Sequence, residues 1–143
     1  MQYLARDVAA ILEKPAAYVA QVGQVIQPHQ PAHGRGYRAE YSFKNIVEIA
    51  LYDTLNKFGV PRKFIKEHLI NLGKSRYRWL EHDGKDGWVL LDSEWRWSAG
   101  HTPNHTIVNL DQSSPVTAAI VVDLGRIKNT IRQKLNMEVR ELC

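Results

Sequence analysis

Cysteine is nearly absent from this chain of 143 residues, since its one thiol is the last residue, Cys143. That excludes a disulfide framework or a thiolate metal site within one chain, and equally any sensing of thiophilic metals or oxidants by internal thiolates. Long hydrophobic runs are missing as well. No stretch approaches the roughly 20 apolar residues that cross a bilayer. The first residues, Met1-Gln2-Tyr3-Leu4-Ala5-Arg6-Asp7, carry a charge pair where a secretory leader needs an unbroken apolar core. The expected compartment is the cytoplasm, with no membrane partner. Internal repeats and low-complexity tracts are absent, and no sustained heptads follow Leu72. Nothing sets a nucleophile beside a base, so neither enzyme activity nor a cofactor is expected.

With 44% hydrophobic and 24% charged residues, the chain is long enough for one domain or two small ones. The formal charge is +4, and its distribution says more than the total. Residues 1–75 hold ten Lys and Arg against six Asp and Glu, whereas residues 76–143 hold nine of each. The basic excess therefore lies wholly in the first half, where it would attract a polyanion.

Leu4, Val8, Ile11 and Leu12 recur at helical spacing. Pro15 then interrupts, and since proline suits the first turn of a helix, a second helix is expected from Pro15 to about Val22. Val19 and Val22 would face the first helix, leaving Tyr18, Gln21 and Gln24 on the outer side. Residues 29–41, rich in Gly, Pro, His and Gln, read as a loop or hairpin in which Gly34 and Gly36 permit a reversal carrying Arg35 and Arg38 beside Tyr37 and Tyr41. That combination suits a phosphate backbone. Ser42 caps a long helix through Phe58, with Ile46, Ala50, Leu51, Leu55 and Phe58 in register and Gly59 as its stop. Pro61 opens another helix, on which Phe64, Ile65, Leu69 and Leu72 form a stripe that Gly73 closes. Lys14, Lys44 and Lys63, each near a helix start, are further candidates for phosphate contact.

This order of helix, turn, helix, Ile26-x-Pro28, a glycine wing ending in Gly36-Tyr37-Arg38 and Tyr41-Ser42, a long helix, Gly59-Val60-Pro61 and a further helix resembles the MerR-like winged helix-turn-helix. The resemblance covers residues 1–73. It implies a DNA-binding domain whose second helix enters the major groove through the Tyr18–Gln21 face. Arg38 matches the wing arginine that contacts phosphate, and Tyr41 matches the aromatic that packs after it. The run Tyr18-Val19-Ala20-Gln21 departs from the family's Arg-aromatic-aromatic-Glu, so this face has no arginine to bridge guanine.

Residues 74–143 have a different texture. Tyr77, Trp79, Trp88-Val89-Leu90-Leu91, Trp95 and Trp97 favour strands, and the turn-like Asp83-Gly84-Lys85-Asp86-Gly87 between them implies a hairpin. Trp95 and Trp97, two apart, would share a strand face. A third strand is expected over 105–110 and a fourth, buried one over 118–122. Leu124, Ile127, Ile131 and Leu135 make a final helical stripe, with Arg126, Lys128, Arg132 and Lys134 off it. His101 and His105 are four apart, with His82 and Asp111 elsewhere, but Thr102-Pro103-Asn104 opposes a helix and no third ligand matches, so no metal site is expected.

The expected fold class is α+β: an N-terminal winged helix-turn-helix with a helical extension, then a small antiparallel sheet with a terminal helix. The expected function is transcriptional regulation by sequence-specific binding of duplex DNA, as a homodimer, through Lys14, Tyr18, Gln21, Arg35, Tyr37, Arg38, Tyr41 and Lys44. The C-terminal module would serve dimerisation or take a small molecule or protein. The alternative is an antitoxin-like or adaptor protein that uses its tryptophan-rich sheet to hold a partner.

Overall fold

The computed structural model describes residues 2–23, 25–28, 39–101 and 119–141, with side chains of the last helix described as far as residue 136. Five helices and five strands occur among these residues, in an α+β arrangement. The order is β1 (Tyr3–Leu4), α1 (Ala5–Leu12), α2 (Ala16–Val22), β2 (Glu40–Tyr41), α3 (Phe43–Lys57), α4 (Arg62–Lys74), β3 (Trp88–Asp92), β4 (Trp97–Gly100), β5 (Ala119–Asp123) and α5 (Leu124–Glu141). No helix among the described residues is long and apolar enough to cross a membrane.

Local chemistry sets most of the helix ends. Asp7 accepts the Leu4 backbone N–H at 2.9 Å, closing the first turn of α1. Glu13 ends that helix in the left-handed region, at φ 56°, and Pro15 caps α2 from an extended conformation. The Ser42 hydroxyl accepts the Asn45 N–H at 3.2 Å, while Asn45 Oδ1 accepts the Ser42 N–H at 3.0 Å. Gly59, at φ +82°, carries the chain out of α3, and Pro61 caps α4. Two expectations at helix ends are corrected. Gly73 does not close α4, which runs on to Lys74, and Phe58 lies beyond the end of α3, 64% exposed, instead of extending its buried stripe.

The tryptophan-rich half contains a three-stranded antiparallel sheet in the order β4-β3-β5, with Leu90 opposite both Ser98 and Val121. As the central strand, β3 is buried from Val89 to Asp92, which is why its sequence is apolar almost throughout. The hairpin differs from the expected one. It joins β3 to β4 through residues 93–96, where the Asp92 carboxylate accepts the N–H groups of Glu94 at 2.8 Å and Arg96 at 2.9 Å. Burial works to raise the Asp92 pKa, but these bonds and the Arg96 guanidinium outweigh it and hold the carboxyl below its ordinary value.

Tyr77 and Trp79 lie in turns, and residues 83–87 lead into β3 without joining two strands. That segment is tied to α5. Lys128, expected off the apolar stripe, is fully buried: its amine donates to the carbonyls of Gly84 and Lys85, both at 3.2 Å, and pairs with Asp86 at 3.1 Å. Trp95 and Trp97 do not share a strand face, because Trp95 occupies the turn at φ 62° and only Trp97 belongs to β4. Among the described residues β5 is an edge strand, with Val122 buried and Val121 exposed, so the buried fourth strand expected over 118–122 is half open there. The strand expected over 105–110 lies outside the described residues.

One apolar cluster spans the sequence from Val8 through Ile46, Leu72, Leu80 and Val89 to Ile131. Helix α5 closes it by packing on α3 and α1. Lys134 marks the junction, its amine donating to the Ile11 carbonyl at 2.9 Å. The hydrophobic interior is therefore continuous across residue 73.

Candidate nucleic-acid interface

Helix α2 is seven residues of which none is charged. Val19 and Val22 are buried, while Ala16, Ala17, Ala20 and Gln21 are exposed. The outer face is thus small-sided with one amide, a surface a duplex can approach without electrostatic penalty. Gln21 lies on it as the sequence implies.

Tyr18 does not. Its hydroxyl donates to Asp53 on α3 at 2.9 Å, so the ring turns toward the long helix and away from the outer side. Burial, reinforced by that carboxylate, pushes the phenol well above its ordinary range. Lys14 joins the same carboxylate at 3.1 Å and lies 5.2 Å from the centre of the Tyr18 ring. Lys57, one turn after Asp53, pairs with its other oxygen at 3.1 Å. Burial works to raise the Asp53 pKa, but the donors from Lys14, Lys57 and Tyr18 prevail and hold it below the ordinary carboxylate value. Two of the expected contact residues are therefore bound to an internal anion that the sequence reading missed. Only the Asp53/Lys57 spacing of four was legible there.

Strands β1 and β2 pair antiparallel, Tyr3 opposite Tyr41 and Leu4 opposite Glu40. Because β1 runs directly into α1, this ladder fixes the chain emerging from residues 29–38 against the start of the first helix. Tyr41 is 3% exposed and belongs to the core, with its phenol raised by burial. Arg35, Tyr37 and Arg38 lie outside the described residues.

Lys44, in the first turn of α3, is half-buried at the edge of a cleft of about 540 Å³ that Lys66 and Lys74 of α4 also line, together with Gln27, Asn45 and Glu48. Three lysines face one carboxylate, and that one has its pKa raised by burial, against the opposing pull of Lys44 and Asn45. The Asn45 amide donates to the Gln27 carbonyl at 3.2 Å, tying the segment after α2 to α3. Lys66 and Lys74 were not singled out from sequence, although spacings of four through Ile70 put them on one helical face. Lys63 is exposed on α4, its amine 5.4 Å from the Phe64 ring centre.

No family model and no curated protein matches this chain.

The tryptophans divide into separate packed groups. Trp95 lies 6.4 Å from Phe64 and Trp97 6.2 Å from His68, both over α4. Trp79, buried, stacks with Tyr77 at 5.1 Å and His101 at 5.4 Å. Of the histidines weighed for metal, His82 packs edge-on against Phe43 at 4.8 Å, while His105 and Asp111 lie outside the described residues. Among the described residues, no three His, Cys, Asp or Glu side chains form a group that could hold an ion.

Proposed function

We propose that the protein binds duplex DNA and acts as a transcriptional regulator of MerR-like type, in the cytoplasm and as a homodimer. The observation that carries this reading is the pairing of β1 with β2 beside an α1–α2 unit whose second helix leaves an uncharged, exposed outer face. In this reading that face, with Gln21, meets base edges in the major groove, and Arg35 and Arg38 meet phosphates. Lys44, with Lys66 and Lys74 beside it, adds a basic cleft that Gln27 and Ser42 also line, the two residues lying in sequence on either side of the stretch that carries those arginines. Affinity then comes from cations on the backbone, and discrimination from the short helix and the shape of the DNA.

Selection of bound sequences from random duplex DNA at two salt concentrations tests the reading. A two-fold symmetric motif is the expected result, since two copies read two half-sites. Arg38→Ala should weaken binding to every sequence alike and lower the salt slope by about 1. Failure of the wild-type chain to retain any duplex at low salt would end the proposal.

A further inference from the structure

The Asp53 carboxylate joins three elements. It takes Lys14 from the turn between α1 and α2 at 3.1 Å, the Tyr18 hydroxyl from α2 at 2.9 Å and Lys57 from its own helix at 3.1 Å. Its side chain is 18% exposed, and Lys14 is itself largely covered at 26%, whereas Lys57 remains open at 65%. The three interactions are therefore unequal. An exposed pair four residues apart on a helix contributes little, while a shielded lysine and a phenol converging on one oxygen restrain the helices that bear them. Helix α2 has only two buried side chains, Val19 and Val22, to hold it, and seven residues are too few for a helix to stand alone. Tyr18 is its polar tether to the long helix.

We propose that Asp53 is a positioning residue for sequence discrimination: it fixes α2 through Tyr18 and withholds the Lys14 cation from the phosphate backbone. This rests on the duplex-binding reading above. Cations on phosphate bind any sequence, so a lysine held by an internal carboxylate lowers indiscriminate affinity, while a fixed α2 preserves contacts that depend on register. Lys14 and Tyr18 thus act through Asp53 and not by touching the nucleic acid.

The test uses Asp53→Asn and Tyr18→Phe in the full chain, with affinities for the selected duplex and for a scrambled duplex measured across a salt series. Asp53→Asn neutralises the carboxylate and frees Lys14. It should raise scrambled-duplex affinity several-fold, steepen the salt slope by about 1 and shrink the ratio of selected to scrambled affinity by about tenfold. Tyr18→Phe cuts the tether without freeing a cation. It should lower selected-duplex affinity and leave scrambled-duplex affinity and salt slope unchanged. A purely structural Asp53 would depress both affinities together at constant ratio and slope, which overturns the inference. If Asp53→Asn does not fold, the Tyr18→Phe result decides alone, and unchanged selected-duplex affinity overturns the inference. A wild-type chain that binds no duplex overturns this inference and the reading beneath it together. Normal wild-type binding with an unaltered ratio in the variants overturns this inference only.

Discussion

His68 is 3% exposed on α4, its ring 6.2 Å from that of Trp97, and among the described residues neither ring nitrogen closes a hydrogen bond of good geometry, though the backbone of Trp95 lies nearby. Burial holds its pKa below the ordinary 6.5, against the opposing pull of Glu67. Between the folded and unfolded values the unfolded chain binds the extra proton, so stability rises with pH through that window and is lost as pH falls from about 6.5. One proton limits the slope to about 1.4 kcal/mol per pH unit. Glu48, whose pKa is raised from 4.5, acts in the opposite sense at lower pH, so the informative quantity is the difference between wild type and His68→Leu. Urea midpoints at pH 7.5 and 5.5 should converge in the variant and separate in the wild type, and an equal separation in both would contradict the assignment. The other buried polar side chain of note, Lys128, is satisfied where His68 is not, with two carbonyls and a carboxylate around its amine.

At the scale of elements, two glycines distinguish backbone conformation from close packing. Gly59 takes φ +82°, and a Cβ built there meets nothing within 4 Å, so Gly59→Ala pays only the left-handed backbone cost of about 1 kcal/mol. Gly87 precedes β3, and a Cβ there would fall 2.7 Å from the Gly100 carbonyl and against the Trp79 ring. Neither neighbour yields easily, because one belongs to the paired backbone of β4 and the other is buried. Gly87→Ala should therefore cost about 3 kcal/mol through overpacking. Denaturant titration should place the Gly87 variant at the lower midpoint with unchanged m, and the reverse order would contradict this account of the two sites.

Across the whole molecule, α5 makes one structure of two sequence textures. The cluster from Val8 to Ile131 has no gap at residue 73, and the Lys134 bond to Ile11 joins the last helix to the first. All four tryptophans fall between residues 79 and 97, so fluorescence reports the second half, while far-ultraviolet dichroism is weighted toward the first by α1 to α4. The two signals should trace a single superimposable unfolding transition. Midpoints separated beyond error would mean that residues 1–73 and 74–143 unfold as independent units.

The sequence by itself determined the elements whose signals are local. Proline at the start of α2 and α4, the Ser42 cap, the Gly59 stop and the stripe Leu124, Ile127, Ile131 each depend on neighbours within about one helical turn, and periodicity carries that information. Gln21 was placed on the outer side of α2 by the same logic. Tertiary structure alone decided which polar groups face inward. Tyr18 and Asp53 are 35 positions apart, and Lys128 and Gly84 are 44 apart, so no pattern along the chain links them. A lysine or tyrosine reads as surface until a carboxylate or a pair of carbonyls on another element compensates for its burial. The hairpin at residues 93–96 likewise depended on Asp92, whose carboxylate gathers N–H groups that a glycine-rich turn signal at 83–87 could not reveal.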